Sequence, residues 1–182
     1  MLIYIRHSDD EDNHCTKLHD CELSEYGKKL AQRVGKRMIE KYGIPTIIYY
    51  SPFRRTTQTM DNMLMDINRD NMTLIKEVNL SRYFSSKEKR NPSIDKETAK
   101  LDIPIHEHRN EFKLRIDEFS NLIYHHVSSN EIVWAITHAI VYKNLAKKYY
   151  ISIPKHIPFM DYFIVSKSRR IREYCKDCKK FH

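Results

Sequence analysis

The sequence predicts an α/β fold, a three-layer α/β/α sandwich with a mostly parallel, mixed central sheet. Three observations predict it. Short runs of strand-forming residues alternate along the chain with segments whose apolar residues recur at helical spacing. Helix-opening residues stand close behind the strands, as the turns of such a fold require. The chain has 182 residues, the size of one domain. The expected unit is a single domain over 1–182, with a polar lid at 81–110 and a basic tail at 166–182.

Leu2 to Ile5 is an apolar run rich in β-formers, the first strand. It ends in Arg6 and His7 at what becomes the carboxyl edge of a parallel sheet, where ligands bind in open α/β folds. Residues 8–22 make an acidic loop. Its His14, Cys15, His19 and Cys21 match no common zinc spacing, so a plain surface loop is expected. Ser24 suits an N-cap and Glu25 the first helical turn. Leu30, Ala31, Val34 and Met38 form one apolar stripe, and Gly43 with Pro45 ends that helix.

Thr46 to Tyr50 is the second strand and runs straight into Ser51, a candidate cap, and Pro52, suited to a first helical position. That puts Arg54 and Arg55 in the first turn, with Met60, Met63, Leu64 and Ile67 as the buried stripe. Cations there oppose the helix dipole, a cost that a bound anion offsets. Met72 to Val78 is the third strand. Phe112, Ile116, Phe119 and Ile123 mark a long helix. Glu131 to Ile136 is the fourth strand, ending in Thr137 and His138, and Ile140, Val141, Leu145 and Tyr149 carry the next helix. Tyr162 to Val165 is the last strand. In the tail, Cys175 and Cys178 with His182 are too weak a zinc pattern to outweigh a frayed end, so no metal and no cofactor is expected.

Composition narrows the function. With 41% hydrophobic and 31% charged residues, the chain is a soluble globular protein, and its apolar runs are too short to span a membrane. The first residues lack the length and basic start of a signal peptide, so a cytoplasmic location and free thiols at the four cysteines are expected. The net charge of +8 favours phosphorylated partners, small molecules or phosphoproteins; no RNA-binding or zinc-finger motif appears, which argues against nucleic acid. With three glycines there is no glycine-rich phosphate loop, so side chains and helix ends must hold any phosphate.

Arg6, His7, Arg55 and His138 all stand at strand ends, and together they make a dianion site: guanidinium groups match phosphate oxygens, and helix N-termini favour negative charge. A histidine among arginines suggests chemistry beyond binding, because neutral imidazole can attack phosphorus. These motifs resemble those of the histidine phosphatase, or phosphoglycerate mutase-like, superfamily. The Arg-His-Gly signature stands as Arg6-His7-Ser8, the Leu-Thr-x-x-Gly helix start as Leu23-Ser24-Glu25-Tyr26-Gly27, the Ser-Pro-Leu-x-Arg-Ala-x-Gln-Thr element as residues 51–59, and the late Ser-His-Gly as Thr137-His138-Ala139.

The resemblance covers residues 1–165. It implies metal-independent phosphate transfer with His7 as the phosphorylated nucleophile, Arg6, Arg55 and His138 as the phosphate pocket, and Asn13 as a substrate contact. The family's Leu-x-Glu acid is replaced here by Leu80-Ser81-Arg82. A shifted register of that motif, Ile75-Lys76-Glu77, offers Glu77 as the expected proton donor, with Asp9, Asp10 and Glu107 as other candidates, and Arg82 as an addition to the anion site. Phosphomonoester hydrolysis is the expected activity. A phosphoglycerate mutase-type transferase and a non-catalytic phosphate-binding module with a degenerate acid are the alternatives.

Overall fold

A computed structural model describes residues 1–11, 20–86, 88–90, 100–128, 130–167 and 170–173. Six strands form one sheet: β1 (Leu2–Arg6), β2 (Ile47–Tyr50), β3 (Thr73–Lys76), β4 (Val133–Thr137), β5 (Tyr162–Val165) and β6 (Arg170–Glu173). Their spatial order is β3-β2-β4-β1-β5-β6. The first four run parallel, and β5 and β6 are antiparallel additions at one side. The sheet is therefore mixed and mostly parallel, as expected.

Alternation within the strands builds the layers. In β1, Ile3 and Ile5 face α1 (Glu25–Tyr42) and α2 (Arg54–Met63), where they pack with Leu30, Val34 and Met60. Leu2 and Tyr4 face α3 (Arg109–His126) and α4 (Ala139–Lys148), against Phe112, Ile116 and Tyr142. Trp134 and Ile136 of β4 join the first core, Val133 and Ala135 the second. Strands buried on both faces need apolar residues at every position, which is why β1 and β4 read as continuous runs.

The helix starts differ in how well the sequence marks them. The Ser24 side chain caps α1, accepting from Gly27 N–H at 2.8 Å. α2 begins at Arg54, later than Ser51 and Pro52 suggest, with Phe53 at the cap position. Ser51 is diverted: its hydroxyl meets His138, and its carbonyl accepts the Thr56 hydroxyl at 2.6 Å.

Two further expectations change. The tail is not frayed throughout, because residues 170–173 pair with β5. Within 81–110, Phe84, Ile103 and Ile105 are buried against Phe53 as a small third core, so part of the expected lid is anchored.

The topology sets the site. From β1 the chain crosses to β2, two places away, and β4 later fills the gap. The carboxyl ends of β1, β4 and β2 thus lie side by side at the point where strand order reverses, the crevice in which open α/β sheets bind ligands. Pairing continues beyond the strand ends, with His7 N–H donating to Thr137 O at 2.9 Å and Ser51 N–H to Ile136 O at 3.1 Å. No helix among the described residues is long and apolar enough to cross a membrane.

Candidate active site

His7 follows β1 directly and is 5% exposed. Its Nδ1 lies 2.7 Å from the Ser8 carbonyl oxygen, an atom that can only accept, so Nδ1 carries the ring hydrogen. The lone pair is left on Nε2. Burial, then the cations Arg55 and Arg6, hold the imidazole well below its usual pKa and so neutral at physiological pH. Ser8, in the place of the family's glycine, is fully buried and fits: its hydroxyl donates to Gly27 O at 2.7 Å and its N–H to Thr59 Oγ1 at 3.0 Å.

His138 follows β4 and is the opposite tautomer. Arg55 Nε donates to its Nδ1 at 3.3 Å, and a guanidinium cannot accept, so the hydrogen sits on Nε2 and faces Ser51 Oγ at 2.9 Å. Burial, then Arg55 and His7, push this imidazole well below its usual pKa as well. The two rings meet edge-on with centroids 5.3 Å apart.

Arg55 stands in the first turn of α2, 4% exposed, with its Nε 3.7 Å from Asp10 Oδ2. Burial pulls it down to about 10, still a cation at neutral pH. Arg6 stacks on Phe159 at 4.0 Å and donates through Nη1 to the Ile157 carbonyl, while its buried Nε has no hydrogen-bond partner. A buried guanidinium with an unused donor is costly unless a ligand fills it.

Arg6, His7, Asp10, Arg55, Arg82 and His138 line one cavity of about 460 Å³. Arg82 is ion-paired there with Glu88, which also lines the cavity and accepts from Ser85 N–H at 2.7 Å. Partial burial works against ionisation of Glu88, yet its bonds from Ser85 and Arg82 hold its carboxyl below the usual range. The cavity's donors are three guanidinium groups and a helix start, the chemistry of a tetrahedral dianion site.

The structure brings together Arg6, His7, Arg55, Arg82 and His138. Glu77 is elsewhere: it does not line the cavity, and its Oε1 caps the turn at Val78–Leu80 through Asn79 N–H at 2.8 Å. Glu107 is held by two bonds from Arg115, and Asp9 accepts the Ser24 hydroxyl at 2.6 Å. Asn13, the remaining members of the 14–21 Cys/His set apart from Cys21, and the 175–182 set lie outside the described residues. Cys21, expected as a free thiol, is disulfide-bonded. Among the described residues no three His, Cys, Asp or Glu side chains are grouped to hold a metal.

Two contributors were not singled out from the sequence. Ser51, which fixes the His138 tautomer, sits inside a quoted motif, and its polar side chain just before a helix suggested a cap instead. Glu88 carries no signal, because nothing in a charged stretch marks which carboxylate turns inward.

Fold and cavity together define an α/β protein with two histidines and three arginines gathered at the carboxyl edge of its sheet. The family model of the histidine phosphatase superfamily (branch 1) matches residues 2–159, and the chain belongs to that superfamily. Similar solved structures include YhfR of Bacillus stearothermophilus, with 17% identity, 94% of each chain covered and a TM-score of 0.65. The ecdysone phosphate phosphatase of Bombix mori, in complex with tungstate, has 14% identity, a TM-score of 0.66, and coverage of 96% of this chain and 92% of that one. A phosphoglycerate mutase of Bacillus anthracis has 14% identity, a TM-score of 0.65, and coverage of 98% and 93%. At these identities the likeness is one of fold. No curated protein matches the sequence.

Proposed function

We propose that the protein is a metal-independent phosphatase that hydrolyses a phosphomonoester through a phosphohistidine on His7. One observation carries this: a buried, neutral His7 with its hydrogen committed to Ser8, so that Nε2 keeps its lone pair in a cavity shared with three arginines. Nε2 attacks phosphorus while the ester P–O bond breaks. Arg6 and Arg55 hold the nonbridging oxygens and offset their charge. His138 donates its Nε2 hydrogen to one of them in place of Ser51. Water then attacks phosphorus, the P–N bond breaks, and inorganic phosphate leaves with His7 restored.

The leaving oxygen needs a proton. We assign it to Asp10, which then takes a proton from the attacking water. Asp10 lines the cavity with its Oδ2 3.7 Å from Arg55 Nε, whereas Glu77 and Glu107 lie outside it and Glu88 accepts from both Arg82 and Ser85. The test compares Asp10→Asn with wild type on an alkyl phosphate and on p-nitrophenyl phosphate, in a chelator. General acid help is typically worth about 100-fold or more, so kcat/KM for the alkyl ester falls by about that factor and that for the good leaving group barely changes. His7→Ala loses both activities. Turnover that survives in His7→Ala, or that the chelator removes, overturns the mechanism; equal losses on both esters overturn the assignment of Asp10.

A further inference from the structure

The phosphate cavity does not end blindly. Two grooves open from it, and both share Ile140, in the first turn of α4, with the cavity wall. The larger, about 710 Å³, lies between α3 and α4 and also shares Tyr83 with the cavity. Its apolar lining includes Phe112, Ile140, Ile151 and Ile153. Its cations are Arg109 and Lys113 on α3 and Lys143 and Lys147 on α4. All four are exposed, none has a carboxylate partner among the described residues, and no acidic residue lines the groove. The second groove, about 480 Å³, carries Arg6, Lys143, Lys155 and His156 beside Phe159 and is likewise free of acidic residues.

Spacing indicates the occupant. Each helix presents two cations four residues apart, about 6 Å along its axis. Alternate side chains of an extended peptide are about 6.6 Å apart. A small phosphate ester fits within the cavity alone and has no use for two charged grooves leading away from it. A single-stranded nucleic acid needs aromatic faces for successive bases. The lining pairs three isoleucines with three rings, but Phe112 is buried and Tyr83 packs between it and Lys89, so Tyr150 alone offers an open face, too few for successive bases, while Ile140, Ile151 and Ile153 suit apolar side chains.

We infer that the grooves seat the polypeptide on either side of a phosphorylated residue, and that the substrate class is a phosphoprotein whose acidic side chains, interleaved with apolar ones, flank the phosphate. This rests on the phosphatase reading and specifies its substrate.

The experiment uses the full chain and two phosphotyrosine peptides with glutamate or with glutamine at alternate flanking positions, with leucine between. p-Nitrophenyl phosphate is the reference. Expected is a kcat/KM about tenfold higher for the glutamate peptide, the scale of a few exposed ion pairs, shrinking as salt screens them. Lys143→Glu/Lys147→Glu, and separately Arg109→Glu/Lys113→Glu on the facing helix, bring the two peptides to parity relative to the reference. Equal turnover of both peptides by wild type overturns the inference. So does stronger competition by a 5′-phosphorylated oligonucleotide than by the glutamate peptide. If wild type leaves p-nitrophenyl phosphate intact, the phosphatase reading has failed, and fluorescence anisotropy with the same labelled peptides decides the groove alone: preference for glutamate supports it and indifference overturns it.

Discussion

Opposite tautomers on two neighbouring histidines show how little at this site is left to chance. Each is set by one obligatory partner: a carbonyl that only accepts fixes Nδ1–H on His7, and a guanidinium that only donates fixes Nε2–H on His138. The turn that supports His7 is held as tightly. A Cβ added to Gly27 would stand 2.1 Å from the Asp9 carbonyl oxygen, so the chain at 8–10 can approach α1 only because residue 27 is glycine. Gly27→Ala must push that turn away. Overpacking of this kind costs about 1–3 kcal/mol, and the urea midpoint should fall accordingly. Because the displaced turn carries Ser8 and Asp10, phosphatase activity should fall by more than the unfolded fraction explains. A variant as stable and active as wild type would show that the contact is not needed.

At the level of elements, long apolar runs and stripes and the Ser24 cap could be read from the residues, whereas short apolar pieces inside a charged stretch, such as Phe84, Ile103 and Ile105, and polar side chains with distant partners could not. The strands β1 and β4 and the stripes of α1 and α3 declare themselves through apolar spacing. The start of α2 does not, because Ser51 and Pro52 have the composition of a helix opening while the hydroxyl of Ser51 is spent on a histidine 87 residues away. β6 was missed for a related reason: Arg170, Ile171, Arg172 and Glu173 have little apolar content and pair through backbone bonds to β5. Arg6, His7, Arg55 and His138 could be grouped from the sequence because they follow the ends of β1, β2 and β4, which the sheet places side by side. Which carboxylates face the cavity could not, because that depends on whether a side chain turns inward, as Glu88 does, or caps a turn, as Glu77 does. The cap of α1 offers a measurement at this scale. Ser24 accepts from Gly27 N–H and donates to Asp9, tying the helix start to the turn beside His7. Ser24→Ala should lower stability by about 1 kcal/mol. Ser24→Asp keeps an acceptor for the helix but faces the Asp9 carboxylate, so it should recover less than the full loss. Complete recovery would mean that the link to Asp9 contributes nothing.

For the molecule as a whole, the site makes stability depend on pH. His7 and His138 are both held well below the ordinary histidine value, chiefly by burial and then by the neighbouring cations. In the unfolded chain each titrates near 6.5. Above that pH neither state binds these protons, and the full stability is present. As pH falls below 6.5, the unfolded chain takes up two protons that the folded protein refuses, so unfolding becomes more favourable until the depressed folded values are reached. Each histidine contributes at most about 1.4 kcal/mol per pH unit, so the pair lowers stability by up to about 3 kcal/mol between pH 7.5 and 5.5. Urea titrations across that range measure it, and the double variant His7→Gln/His138→Gln, which carries neither group, should lose clearly less over the same interval. Inorganic phosphate should act in the opposite sense, since a dianion in the cavity beside both rings favours their protonated forms and binds only the folded protein. Its stabilising effect should therefore grow as pH falls from 7.5 toward 6, where much of the phosphate is still dianionic if it is bound among the guanidinium groups. Parallel stability curves for wild type and the double variant, with phosphate having no effect on either, would mean that the histidines do not share one buried anion site.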